Sequence, residues 1–138
     1  MPRMAEEGQL FEAPDGNTLR LVRISDELLE MEATYSGQGA MPPPHFHPAQ
    51  DERFEVLEGA VQAVVEGQAR RHEAGETFEV PAGSVHQMGG DGRARVRWEV
   101  RPALKTAEFF EGLYLGEAMK DPAAFLTRFA DEFRLATG

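Results

Sequence analysis

Three of the four histidines in this chain stand where they could share one metal ion. His45 and His47 are separated by one residue, Glu52 follows five positions later, and His86 lies thirty-nine residues after His47. Alternation along a strand places His45 and His47 on the same face. Imidazole nitrogen and carboxylate oxygen suit iron, manganese, nickel, zinc or copper, and four ligands leave positions for water or substrate. The four residues are therefore the predicted ligands of a divalent transition metal.

The elements that must position these ligands are predicted to be short strands. Up to residue 102, apolar and polar residues alternate in short runs, and glycine, proline, asparagine and aspartate stand between the runs. Many short strands at even spacing predict an all-β barrel or sandwich. The predicted strands are Thr18 to Ile24, Leu28 to Tyr35, Phe54 to Glu58, Ala60 to Glu66, Thr77 to Val80 and Arg93 to Val100.

After Pro102 the pattern changes to a helical period. Thr106 is predicted to cap a helix that ends near Gly116, and Asp121-Pro122 to cap and begin a second helix. We expect a barrel over residues 1–102 and a helical segment over 103–138 that packs on the same domain.

An apolar stripe runs along this second helix, because Phe125, Phe129 and Phe133 recur every four residues. Such a stripe needs burial, either against the outside of the barrel or against a second copy of the chain. The sequence favours the first alternative and leaves the second open.

Strand parity selects Glu52 among the neighbouring acids. Glu52, Phe54 and Val56 are expected to share the inner face, and Glu55 to point outward. The odd separation of His47 from Glu52 then requires a turn or bulge between them. Six further side chains are predicted to line an apolar pocket around the metal. They are Met31, Tyr35, Phe54, Phe78, Met88 and Trp98.

Two longer motifs surround the ligands. The stretch GAMPPPHFHPAQDERFEVLEG, residues 39–59, resembles the first motif of the cupin family, and GETFEVPAGSVHQMGG, residues 75–90, resembles the second. The fifteen residues between them match the short spacing of compact, single-domain, RmlC-like members. One position departs from the pattern, because Gly90 stands where the family usually has asparagine.

The resemblance implies a double-stranded β-helix, a jelly-roll-like barrel with the metal inside, here followed by a C-terminal helical extension. It also implies a frequent homodimer. It does not imply one reaction, because fold does not settle function. The predicted function is a metal-dependent enzyme, first a dioxygenase-like oxygenase acting on a small organic molecule, with Glu52 as a possible proton shuttle. The alternatives are a non-redox isomerase, cyclase or lyase, and a non-catalytic module that binds a small ligand or metal.

Composition excludes several other classes of function. The formal net charge of −10 argues against a nucleic-acid partner, and the absence of cysteine excludes disulfides and thiolate metal sites. The sequence has no apolar run long enough to span a bilayer, so no membrane partner is expected and a cytoplasmic location is predicted. Arg93, Arg95, Arg97 and Arg101 share one strand face, interpreted as a wet outer face, with an anion or subunit contact as the alternative.

Overall fold

A computed structural model describes residues 5–39 and 41–136. Residues 1–4, 40 and 137–138 lie outside the described residues, and with them the outer ends of the predicted barrel and helical segment and one position of the first motif. In chain order the elements are β1 (Leu10–Glu12), β2 (Thr18–Ile24), β3 (Leu29–Tyr35), β4 (His45–Phe46), β5 (Asp51–Glu58), β6 (Ala60–Val65), β7 (Gln68–Glu73), β8 (Thr77–Val80), β9 (His86–Gly90), β10 (Ala94–Arg101), α1 (Thr106–Tyr114), α2 (Glu117–Lys120), α3 (Pro122–Arg128) and β11 (Arg134–Leu135).

The strands form two antiparallel sheets. One has the order β1-β2-β3-β10-β5-β8, and the other has the order β11-β4-β9-β6-β7. Their inner faces are mostly apolar, as in β5, where Phe54 and Val56 are buried together with the polar Glu52 and the residues between them are not. The prediction of an all-β fold with C-terminal helices is confirmed.

Strand β7 was not predicted from the sequence. It spans Gln68–Glu73, and its side chains are almost all exposed because it forms an edge of the second sheet. An edge strand whose two faces are exposed to solvent does not alternate between apolar and polar residues, so the hydrophobic pattern of the sequence does not predict it.

The core lies between the sheets. Leu21, Leu29, Met31, Val61 and Val96 have no exposed surface and pack in one cluster. This cluster makes the barrel a rigid frame, which lets a few inward polar side chains keep fixed positions.

The outer face of β10 carries ion pairs. Arg95 contacts Glu32 on β3 at 2.5 Å and Glu58 on β5 at 3.0 Å, and Arg97 contacts Glu30 and Glu55, each at 3.5 Å. Cross-strand pairs of opposite charge explain the arginine spacing without any bound anion. This agrees with the wet outer face favoured from the sequence.

The C-terminal segment is tied to the barrel by buried polar contacts. The side-chain amide of Gln50, which is 1 % exposed, donates to the carbonyl oxygens of Pro102 and Ala103 and lies 2.8 Å from Oγ1 of Thr106. Thr106 is therefore the first residue of α1 and a partner of Gln50, not the cap, since the N-cap position is Lys105. These bonds fix the direction in which α1 leaves the barrel.

The second predicted cap is confirmed. Asp121 accepts a hydrogen bond from the backbone N–H of Ala124 at the start of α3. The apolar stripe outlasts the helix, because α3 ends at Arg128 while Phe129 is fully buried in a cluster with Phe109 and Phe125.

Candidate metal centre

The ligand side chains come from both sheets. His45 on β4 pairs directly with His86 on β9 in the five-stranded sheet, while Glu52 lies on β5 in the six-stranded sheet. The predicted turn or bulge after His47 is therefore a crossing from one sheet to the other. Glu52 faces the histidines across the barrel interior, which resolves the odd spacing.

The three histidines converge. One nitrogen from each of His45, His47 and His86 lies within 4.8 Å of the others. Glu52 Oε1 lies 3.1 Å from His47 Nε2 and 2.9 Å from His86 Nε2. His47, Glu52 and His86 are buried and His45 is partly buried, so Glu52 adjoins the cluster of three histidines through His47 and His86 at a place largely removed from solvent.

The other ring nitrogen of each histidine is held by the backbone. Nδ1 lies 3.0 Å from the Pro43 carbonyl oxygen in His45, 2.7 Å from that of Glu132 in His47, and 2.9 Å from that of Ser84 in His86. A carbonyl oxygen only accepts, so each Nδ1 donates, and in the neutral form of each ring the lone pair then lies on Nε2. This arrangement is how metal-binding imidazoles are oriented.

Trp98 holds the carboxylate. Its indole Nε1 donates to Glu52 Oε2 at 2.7 Å, which leaves Oε1 directed at the histidines. A carboxylate tied at one oxygen keeps its orientation, so Trp98 supports the centre from β10 as well as lining the cavity.

The charges in the cluster are strongly coupled. Burial raises the pKa of Glu52, but the imidazoles of His47 and His86 outweigh it and bring that pKa down to about 2. For His47, burial lowers the pKa and the Glu52 carboxylate outweighs it, so the pKa is raised. For His45, burial dominates and lowers the pKa to about 4. Glu52 is therefore ionised and His45 is neutral at pH 7, which are the forms that bind metal.

Two atoms of the cluster lack the hydrogen bonds that burial demands. His47 Nε2 and Glu52 Oε1 are buried without a hydrogen-bonding partner among the described residues, and they lie 3.1 Å apart. A cation coordinated by both atoms would satisfy them. The donor set, three imidazoles and one carboxylate, fits a divalent transition metal.

The C-terminal segment contributes residues that the sequence did not single out for the site. Phe133 stacks on His45 with ring centroids 4.7 Å apart, and Glu132 supplies the carbonyl oxygen that holds His47. Strand β11 pairs with β4, which brings both residues to the histidines. The period of four had placed Phe133 on a helical stripe packed against the outside of the barrel, and no local pattern in the sequence predicts that the chain turns back here as a strand.

The fourth histidine lies elsewhere. His72 on β7 stacks on Phe78 with ring centroids 4.1 Å apart and lies 3.6 Å from a carboxylate oxygen of Glu76. Its side chain is only 15 % exposed, because the ring packs against Phe78. It is not part of the histidine cluster.

A cavity of about 590 Å³ opens from the cluster. The barrel supplies one wall, and the C-terminal segment supplies another with Phe109, Phe110, Leu113, Phe125 and Phe133. Four of the six predicted wall residues line it: Tyr35, Phe54, Met88 and Trp98.

The other two predicted wall residues do not line this cavity. Met31 has no exposed surface and belongs to the core, and Phe78 packs against Phe54 and His72. Both have the inward parity that the sequence indicated. Parity gives the face of a strand, however, and not the position along the barrel axis at which the cavity ends.

Steric crowding explains why Gly90 replaces the asparagine that is usual in the second motif. A Cβ at Gly90 would lie 2.6 Å from the carbonyl oxygen of Gly92 and 2.7 Å from Cβ of Tyr35. Real Cβ atoms do not approach so closely, so no asparagine fits while Tyr35 keeps this place. The departure and the position of Tyr35 on the cavity wall are therefore linked.

Comparison with known proteins agrees with the motifs. The family model described as Cupin domain matches residues 31–100, which is half of the chain and spans all four predicted ligands. No curated protein matches the chain. Among the described residues, no helix is both long and apolar enough to cross a membrane.

Solved structures give the fold. An RmlC-like cupin from Shewanella frigidimarina has a TM-score of 0.65 at 20 % identity over 75 % of this chain and 92 % of its own. KdgF from Halomonas sp. has a TM-score of 0.62 at 23 % identity over 68 % and 87 %. A Klebsiella pneumoniae protein with a double-stranded β-helix domain has a TM-score of 0.59 at 17 % identity over 67 % and 83 %. The predicted double-stranded β-helix is confirmed.

Proposed function

This chain belongs to the cupin family, and from that premise we propose that it is a metal-dependent enzyme, an oxygenase acting on a small organic molecule. The observation that carries the proposal is the convergence of three backbone-anchored imidazoles and Glu52 at the end of an apolar cavity. His45, His47, Glu52 and His86 would hold the metal. Fewer than six protein ligands leave room for substrate beside it.

A bound divalent metal would supply positive charge and open positions, for dioxygen and substrate together if it is redox-active, or for substrate oxygen alone if it acts as a Lewis acid. The residues of the chain would position the substrate and handle its proton. The aromatic wall excludes water from the substrate. Because the bond from Trp98 Nε1 keeps Oε2 occupied, the ionised Glu52 could take a proton from a phenol or enol only through Oε1, if that atom were released from the metal.

A non-redox isomerase, cyclase or lyase is the second candidate, and Tyr35 favours it. Such chemistry needs an acid or base in the cavity besides the ligands. Tyr35 lines the cavity, and burial raises the pKa of its phenol, so the hydroxyl stays protonated at neutral pH. A protonated phenol facing a bound substrate can donate a hydrogen bond to an enolate without any change of oxidation state.

Dioxygen dependence tests the proposal. Protein reconstituted with iron(II) would be incubated with a panel of catechols and enediols under air and under argon, with His86→Ala as the inactive control. Consumption of dioxygen with loss of substrate under air alone supports an oxygenase. Substrate loss that is equal under argon would assign the non-redox chemistry instead. Substrate binding with no turnover under either gas would leave a binding module.

The homodimer expected from the family resemblance is also part of the proposal. Exposed apolar side chains in α1, at its C-cap and in α2 support it, namely Leu113, Leu115 and Met119, which are 43, 54 and 84 % exposed. Sedimentation equilibrium measures the mass directly, and a monomer at micromolar concentration would refute a stable dimer.

A further inference from the structure

The cavity wall carries few charged side chains. Among the described residues that line it, none is lysine or arginine, and the charged groups besides the histidine cluster are the carboxylates of Glu12 and Asp15. The chain as a whole has a formal net charge of −10. Nothing in the wall can therefore neutralise an anionic group that lies away from the cluster.

The rest of the wall is aromatic and apolar. Trp98 and Phe110 meet edge to face with ring centroids 5.2 Å apart, Phe109 and Phe133 stack at 4.8 Å, and Phe133 also stacks on His45. Aromatic rings favour offset or edge contacts with further rings. The aromatic surface reaches the cluster itself, so a flat ring could lie against it while an oxygen atom reaches the imidazoles.

From these two features we infer that the cavity takes an uncharged aromatic molecule bearing a phenol or enol oxygen, and rejects molecules with a second, remote anionic group. The inference rests on the proposed function, because a bound cation would receive that oxygen. One anionic oxygen at the cluster is balanced by the cation, whereas a carboxylate, sulfonate or phosphate elsewhere in the cavity is desolvated without a partner. Sugar acids and phosphorylated sugars are thereby excluded as ligands.

A matched pair of ligands tests the inference. The probes are 2,3-dihydroxynaphthalene and 6,7-dihydroxynaphthalene-2-sulfonate, which share the ring and the two oxygens and differ by one remote anion. Galacturonate serves as a non-aromatic anion. Each is titrated calorimetrically into zinc-loaded protein, because zinc is redox-inert and no turnover obscures binding. Trp98, the single tryptophan of the chain, gives a fluorescence signal from inside the cavity.

We expect the uncharged diol to bind about 10-fold more tightly than the sulfonate, or better, since a desolvated charge without a partner opposes binding. Galacturonate should not change the fluorescence of Trp98. Equal or tighter binding of the sulfonate, binding of galacturonate, or no binding of the diol to zinc-loaded protein would each overturn the inference. Failure of zinc itself to bind, measured beforehand, would instead overturn the proposed function on which it rests.

A charge placed in the wall provides a second arm. Leu113 lines the cavity and is 43 % exposed, so Leu113→Lys puts a cation at its edge at little cost to folding. The variant should bind the sulfonate roughly 3-fold more tightly than the wild type, as for an exposed ion pair. Val22→Lys, on the exposed side of β2, makes the same change of net charge outside the lining and should leave the preference unchanged. Equal effects in both variants would show that total charge, and not the wall, sets the selectivity.

Discussion

Nδ1 of His47 lies 2.7 Å from the backbone carbonyl oxygen of Glu132, eighty-five residues later in the chain. This contact joins the histidine cluster to the C-terminal segment. Phe133, the next residue, stacks on His45. The segment after the barrel therefore orients two of the three imidazoles. Its removal should weaken metal binding as well as destabilise the fold.

Phe133→Ala should weaken both the fold and the site. The variant loses ring contacts with His45 and Phe109, at 4.7 and 4.8 Å between centroids. Because Phe133 is only partly buried, we expect about 2 kcal/mol less stability, below the range for a fully buried phenylalanine, and roughly 10-fold weaker metal binding. Urea unfolding and competition with a chromophoric chelator measure the two effects. Leu135→Ala, two residues further along the chain and exposed, is the control, and a metal affinity equal in the two variants would refute the role of Phe133.

Glu52→Gln tests the choice among the acidic residues. The amide keeps the shape and can still accept from Trp98, but it removes the charge that faces His47 and His86. Metal affinity should fall by about 100-fold or more, beyond the range seen for residues that only support ligands. Glu55→Gln is the matched control, since Glu55 contacts Arg97 on the outer face. Comparable losses in both variants would contradict the assignment of Glu52 as a ligand.

Trp98→Phe should remove a constraint on the orientation of the Glu52 carboxylate without leaving a large cavity beside it. It removes the indole N–H that donates to Glu52 at 2.7 Å and keeps an aromatic ring against Phe54. Metal binding should weaken by about 10-fold to 100-fold, with circular dichroism unchanged. An affinity equal to that of the wild type would mean that the hydrogen bond does not position Glu52.

Stability of the metal-free protein should fall in mild acid because of His45. Burial lowers the pKa of this imidazole to about 4 from its ordinary 6.5, so its contribution is fully present above pH 6.5 and is lost as the pH falls through 4. Between pH 6.5 and 4 the raised pKa of His47 causes no loss of stability, because the stabilising contribution of His47 is lost only as the pH rises. The Glu52 contribution is lost only below about 4.5.

Urea unfolding of wild type and His45→Ala, at pH 6.5 and 4.5 with chelator present, measures this. The wild type should lose more stability than the variant between the two pH values. An identical loss in both proteins would show that His45 is not held neutral by the fold.

Much of the candidate site could be predicted from the sequence because it depends on residues that are close together in the chain. The alternation of His45 with His47 and of Glu52 with Phe54 fixes faces, and the glycine and proline turns fix strand ends. The contacts of Glu132 and Phe133 with the histidines could not be predicted, since they depend on where a distant strand pairs. The same holds for Met31 and Phe78, whose faces were right but whose depth along the barrel follows from register.

The central claim is that His45, His47, Glu52 and His86 form one metal site, and metal content tests it most directly. The protein would be purified without chelator or affinity nickel, and its metal content would be measured by elemental analysis before and after reconstitution. The double variant His47→Ala/His86→Ala and the single variant His72→Ala would be measured in the same way. We predict close to one transition-metal ion per chain, lost in the double variant and retained when His72 alone is removed. Absence of metal from the reconstituted wild type, or its retention in the double variant, would contradict the account.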